Sequence, residues 1–456
     1  MFEEGAILAM LTAFFTEQPI DEVLIKLLLY FGWIPVFFVL FRGLAEIYKD
    51  QKQTEWVGKQ PQVLLAIDIP RESEQSPKAV ENIFAACMGG LSNPNFKERW
   101  FEGKMPRPIS FELVSVNGYI QFYIRCNTRH RDLIESALYA QYPDAEIRES
   151  EDYVDNVPQE YPDEDFDLHG YEFVLEKPCY FPIRTWVSYE HSLSQELKDP
   201  LGVLLEGLSK LQTGEQIWIQ YIIEPISQVW KTQGDKYVNE TFGIKDEVKD
   251  HPAEKVANTV LAVPKAILQQ MAGIEETGAE TGAMPADMWK AFKVTEQERD
   301  IVKAVVQKIA KVGFNTKIRY VYVGRREVFK KGMRNDMIKG FFRQFHHLNL
   351  NRFGTDGKVV PKDDYFWQNW SYTARQNNLI QSYKARHWIR GASPSILNTE
   401  ELATLWHFPS REIKAPMLQK TVSRRAEPPS QLEFATDEEE FELTPKTEES
   451  VDLSAE

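Results

Sequence analysis

The chain has 456 residues, 43% hydrophobic and 12% aromatic, enough apolar material for two or three domains with cores of their own, which excludes wholesale disorder. The net charge of −15 is unevenly placed: residues 290–425 hold 27 Lys and Arg against 11 Asp and Glu, a local +16, which leaves −31 for the rest. Cys87, Cys126 and Cys179 are odd in number, far apart and without CxxC spacing, which argues against a disulfide framework or thiolate metal centre and for reduced thiols.

In chain order, residues 1–60 read as a membrane-proximal segment. The opening is acidic, and its apolar piece at 6–15 is too short to cross a bilayer and is expected to lie in the interface. Residues 23–41, "VLIKLLLYFGWIPVFFVLF", are apolar except for Lys26, and as a helix they span roughly the 30 Å hydrocarbon core, which predicts a single transmembrane helix. Acidic residues precede it (Glu3, Glu4, Glu17, Asp21, Glu22) and Arg42, Lys49, Lys52 and Lys59 follow. That asymmetry predicts an inner-membrane protein with its amino terminus outside and its body cytoplasmic.

Residues 61–150 give strand "QVLLAIDIP", a helix near 77–91, two strands joined at Asn117-Gly118, a helix "RHRDLIESALYAQYP" and a strand "AEIRES". The order βαββαβ is that of a ferredoxin-like sandwich, and the class is α+β. Residues 151–170, rich in Asp and Glu, read as a solvated acidic linker. Residues 171–430 form a second, larger α+β unit that repeats the alternation of the first. An insertion at about 231–290 splits it, and order resumes at Thr295, where "TEQE" makes a capping box with Glu298. The tail at 431–456, ten carboxylates and one lysine, lacks the apolar surface to offset its ordering entropy and is expected to be disordered.

Chemistry is sparse in the sequence. GxxxxGK[ST], GxGxxG, HExxH, GxSxG and an EF-hand loop are all missing, so no cofactor is expected and an enzymatic reading has no motif to rest on. His346 and His347 on a predicted helix point about 100° apart and do not chelate one metal. The basic half is the candidate binding region. Arg319, Arg325, Arg326, Lys330, Lys331, Arg334, Lys339 and Arg343 lie close together, followed by Arg375, Lys384, Arg386 and Arg390 among Tyr365, Trp367, Trp370, Tyr383 and Trp388. Cations among aromatics suit nucleic acid, and they suit anionic headgroups, an acidic partner protein or a solvated surface equally well.

The blocks "YAQYPDAEIRESEDY", "KIRYVYVGRREVF", "IKGFFRQFHHLNLNRF" and above all "ILNTEELATLWHFPS" (396–410) resemble the non-ATPase amino-terminal region of membrane-tethered HerA/TraG-type ATPases. Those ATPases are associated with type IV secretion and conjugative DNA transfer, especially in candidate-phyla bacteria with small genomes. The resemblance runs over about residues 60–429. In such ATPases "ELATLWHFP" and the later "RRAEPP" hand over to a P-loop motor, whereas here an acidic tail follows. Two accounts fit the resemblance: a non-enzymatic, membrane-anchored platform that seats a separately encoded P-loop ATPase, with DNA as a further partner and a homo-oligomer as a compatible state, or a paralogue that has become a scaffold without a motor. Leu402, Trp406, Arg424 and Arg425 are the candidate docking residues. The alternative is a membrane adaptor or protein-interaction module unrelated to DNA.

Overall fold

Strands of this chain alternate between two kinds of partner. In β7 (Gly313–Arg325), Phe314, Ile318, Tyr320 and Tyr322 point to one side and Lys317, Arg319, Val321 and Val323 to the other, and nearly all are buried. A strand with this pattern has to be covered on both faces. The computed structural model describes residues 28–29, 32–69, 75–92, 94–190, 199–243, 294–362, 365 and 369–409, all within one compact unit that extends over 1–421.

The first half runs β1 (Gln62–Asp68), α2 (Pro77–Cys87), a short helix α3 (Phe96–Trp100), β2 (Ile109–Val116), β3 (Tyr119–Asn127), α4 (Arg131–Gln141) and β4 (Glu146–Glu149). Before them lies a helix α1 (Trp33–Gly58). The β2–β3 turn is held by Asn117 and Gly118 with φ of 54° and 89°, left-handed values that favour these two residue types. The second half runs β5 (Phe166–Leu175), α5 (Leu201–Ser209), β6 (Glu215–Pro225), α6 (Lys231–Phe242), α7 (Glu296–Ile309), β7, α8 (Lys331–Arg343) and β8 (Phe353–Thr355). It ends with α9 (Asn369–Lys384), β9 (Ser395–Asn398) and α10 (Thr399–Leu405). The capping box expected at Thr295 is present, with Glu298 N donating to Thr295 Oγ1 at 3.3 Å.

The strand order is β4-β1-β3-β2-β6-β7-β5-β8, with β9 added beside β7, and every pair is antiparallel. The first four strands have the 4-1-3-2 order of a ferredoxin-like βαββαβ unit. Counting β5, β6, β7 and β8 as first to fourth, the other half shows the same order reversed. The two halves are thus topological copies, joined edge to edge where β2 pairs β6 from Ile109↔Ile223 to Val116↔Gln216. Joining these edges removes two open strand edges that would otherwise invite aggregation.

One sheet face carries α2, α4, α5 and α8 over a core that includes Ile83, Ile134, Leu204 and Ile338. The other face is closed by α9 and the segment 153–161. The acidic stretch expected as a solvated linker thus differs from expectation: its apolar residues Tyr153, Val154, Val157 and Tyr161 are buried against Trp218, Val321 and Tyr383. Its carboxylates flank residues that fill an open sheet face.

The single transmembrane helix expected over residues 23–41 is corrected by the structure. Among the described residues no helix is long and apolar enough to cross a membrane. The reason lies in α1. Its uninterrupted apolar run, Trp33 to Phe41, covers about 14 Å at 1.5 Å per residue, about half a hydrocarbon core. From Arg42 the same helix continues through Glu46, Lys49, Asp50 and Lys52 to Gly58. Residues 23–27, 30 and 31 of the expected span lie outside the described residues, as do most of the expected insertion and the tail.

Candidate functional site: a basic sheet face and its clefts

The face beneath α9 carries a polar row across five strands. Register aligns Tyr123 (β3), Glu112 (β2), Gln220 (β6), Arg319 (β7) and Glu172 (β5). Arg319 is fully buried. Its Nε donates to Glu172 Oε1 at 2.7 Å, and its terminal nitrogens donate to the carbonyls of Ser382 (3.0 Å), His387 (2.6 Å) and Arg390 (2.7 Å). The loop after α9 closes over this pair at Gly391, where φ is +97° and a Cβ would strike the Glu172 carboxylate. Arg386 donates to both Glu112 oxygens, at 2.9 and 3.0 Å, and to both oxygens of Asp152. Arg334 pairs with Glu215, whose Oε1 also accepts from Tyr322 at 2.6 Å.

Sequence reasoning placed Arg319, Arg334 and Arg386 on a binding surface, and the structure puts them in buried ion pairs. Arg375 and Lys384 are half-buried and tied to backbone: Arg375 donates to Gly357 and Val360 carbonyls, and Lys384 to Val157 O at 2.8 Å. Arg325, Arg326, Lys330, Arg343 and Arg390 remain exposed. None of these five makes an ion pair among the described residues, although Arg326 holds the Asp163 carbonyl. Lys331 sits 5.8 Å from the Tyr372 ring. Of the candidate docking residues, Leu402 and Trp406 are core residues, each 1% exposed, and Arg424 and Arg425 lie outside the described residues.

Clefts open around the sheet, and one of about 330 Å³ lies directly at the Arg319–Glu172 pair, lined by Glu172, Arg375, Ser382, Arg390 and Gly391. Three others border the framework. One, about 920 Å³, opens between α7, α10 and the turn at 346–350, and it contains Arg184, Lys311 and both histidines. Lys311 is committed there to Glu81 and Glu400 at 2.6 Å each. A second, about 550 Å³, holds Lys317, Glu224, Trp100 and Trp388. Burial pushes the Lys317 ammonium down to about 8, and it donates to the carbonyls of Ile389 and Arg390. The third, about 290 Å³, joins the end of α1 to β2 and β3. Among the described residues no group of three or more His, Cys, Asp or Glu is placed to hold a metal ion.

Residues 46–421 match a protein family described as a domain of unknown function, DUF8128. The chain belongs to that family. The match spans both ferredoxin-like halves and the closing segment, so the edge-to-edge sheet lies within the DUF8128 region. No curated protein matches the chain.

The Glu112–Arg386 pair gives an acid-stability prediction. Burial would raise the Glu112 carboxyl, but the Arg386 charge and hydrogen bonds from Arg386, Ser110 and Tyr153 bring it down to about 2, below the ordinary 4.5. A carboxylate lowered on folding stabilises fully above its unfolded value and loses that contribution as pH falls toward the folded one. Stability is therefore expected to fall by roughly 3 kcal/mol from this group between pH 4.5 and 2. Urea midpoints at pH 5 and 3 check it, and Glu112→Gln should show a shallower loss across that interval.

Proposed function

We propose that this DUF8128 protein is a non-enzymatic platform subunit of a type IV secretion or DNA-translocation assembly, seating a separately encoded P-loop ATPase at the cytoplasmic membrane. The sequence resemblance in 396–410 supplies the assembly. The observation that carries the platform reading is the division of the basic residues. Arg319, Arg334 and Arg386 stiffen a nine-stranded sheet from within, while Arg325, Arg326, Lys330 and Arg343, from the end of β7 through the following loop to the end of α8, stay exposed without carboxylate partners among the described residues. A rigid body with an unpaired basic strip suits steering and seating of an acidic partner or nucleic-acid backbone. The exposed apolar start of α1, with Phe37, Phe38 and Phe41 about 60% exposed, offers a contact to the rest of the assembly or to the lipid surface.

A second reading, an interaction module unrelated to DNA, is favoured by the loss of three arginines from the surface. Capture of the full-length protein from native membranes, with its partners identified, separates the two. The platform reading expects a P-loop ATPase and translocation components among the partners. A partner set made only of unrelated cytoplasmic proteins would favour the second.

A further inference from the structure

The cleft of about 290 Å³ is lined by Trp56, Gln62, Arg107, Ser110, Arg125 and Arg386, among others. Arg386 is fully matched by Glu112 and Asp152. The other two arginines are not. Arg125 stands on β3 between Leu64 of β1 and Ser110 of β2, half-buried, and among the described residues its side chain makes no hydrogen bond or ion pair. Arg107 rests on Trp56 with its guanidinium carbon 5.0 Å from the ring centroid, and its Nε is buried without a hydrogen-bond partner. Burial and then the like charge of Arg386 hold Arg125 below the ordinary arginine value against the opposing pull of Glu112 and Asp152, which are themselves paired with Arg386, and burial and then Arg129 do the same to Arg107.

The fold answers each fully buried arginine with a carboxylate: Arg319 with Glu172, Arg334 with Glu215, Arg386 with Glu112. Partly desolvated cations without a carboxylate of their own in contact are costly, and an incoming anion relieves that cost. Guanidinium groups match the oxygens of phosphate in paired hydrogen bonds, and an indole gives a base a face to stack on. The cleft lies at the lower end of the size range of small-ligand sites.

We propose that this cleft binds the phosphate of a nucleotide, free or within a single strand, through Arg107 and Arg125, with Trp56 as the aromatic surface beside it. The site lies away from the β7–α8 strip and does not rest on the platform reading. It stands or falls whether or not an ATPase is captured.

The test is calorimetric titration of the full-length protein with inorganic phosphate, adenosine monophosphate, a single-stranded oligothymidylate and, as a carboxylate control, succinate. Binding of a phosphate compound is expected, weakened at least about tenfold by Arg125→Gln and by Arg107→Gln, each of which removes a charge-assisted contact. Monophosphate binding without oligonucleotide binding identifies free nucleotide. Oligonucleotide binding that weakens steeply with salt identifies a strand. Arg125→Lys keeps the charge and should retain more affinity than Arg125→Gln, and thermal melting tells whether each variant is folded. Phosphate should also raise the melting temperature of the wild type more than that of Arg125→Gln. No phosphate binding, equal binding of succinate, or binding indifferent to folded Arg107 and Arg125 variants would overturn the proposal.

Discussion

Replacing Trp406 by alanine is expected to lower the stability of the folded body by about 3–5 kcal/mol, the range for emptying a buried large aromatic site. Trp406 is 1% exposed and packs against Phe84 of α2, Phe111 of β2, Phe122 of β3 and Phe408, with ring centroids 6.2, 4.9, 5.5 and 5.0 Å away. The segment that carries it starts in the other half. β9 pairs β7 from Gly313↔Asn398 to Thr316↔Ser395, α10 then lies on α2, and Phe408 reaches Tyr142 at the end of α4. Residues 395–408 therefore clasp the two ferredoxin-like halves across their helical face. A tryptophan in that position contributes to both halves at once, so its loss should reduce the cooperativity of unfolding as well as the midpoint. Urea unfolding of Trp406→Ala and Trp406→Phe measures this, with the phenylalanine variant expected to be milder. A loss under about 1 kcal/mol for alanine would mean that the clasp is not part of the core.

The second large effect is expected at the ion pair that anchors the same segment. Lys308 of α7 and Glu401 of α10 have no exposed side-chain surface, with Nζ at 2.9 Å from Oε2 and 3.0 Å from Oε1. Nζ also donates to the carbonyls of Phe181 and Ile396 at 3.3 and 3.2 Å, while Glu401 accepts from the backbone N–H groups of Ile183 and Asn398. Removing one charge leaves the other buried and unmatched, which costs about 3–5 kcal/mol. Lys308→Met is therefore expected to destabilise strongly. The double variant Lys308→Met, Glu401→Met should cost less than the sum of the single changes, since no isolated charge remains. Additive single and double losses would show that the two groups do not interact as the structure places them.

Much of the framework was legible in the sequence because local signals carried it. The Asn117-Gly118 turn, the Thr295–Glu298 capping box and the βαββαβ order of 61–150 each follow from neighbouring residues. The pairing of β2 with β6 was not legible, since it joins strands about a hundred residues apart and both read simply as apolar. The acidic stretch at 151–170 misled because charge density hid the spacing of Tyr153, Val157 and Tyr161. For α1, the apolar run at 33–41 was read as the end of a bilayer span, whereas helix geometry carries it past Arg42 into a charged continuation. The buried arginines could have been suspected: Lys317 and Arg319 alternate with Ile318 and Tyr320 in a strand, and Glu112, Glu172 and Glu215 sit in strands that reach them. Arg107 and Arg125 are single cations in otherwise ordinary strand and loop sequence, and their lack of a contacting carboxylate exists only in three dimensions.

The platform reading turns on the exposed strip formed by Arg325, Arg326, Lys330 and Arg343. Reversing these four charges to glutamate in the full-length protein and quantifying the P-loop ATPase co-captured from native membranes tests it most directly. Exposed charges contribute little to stability and much to association. The expected result is capture reduced by at least about tenfold with an unchanged melting temperature. Undiminished capture by the folded variant, or no ATPase captured by the wild type, would contradict the account.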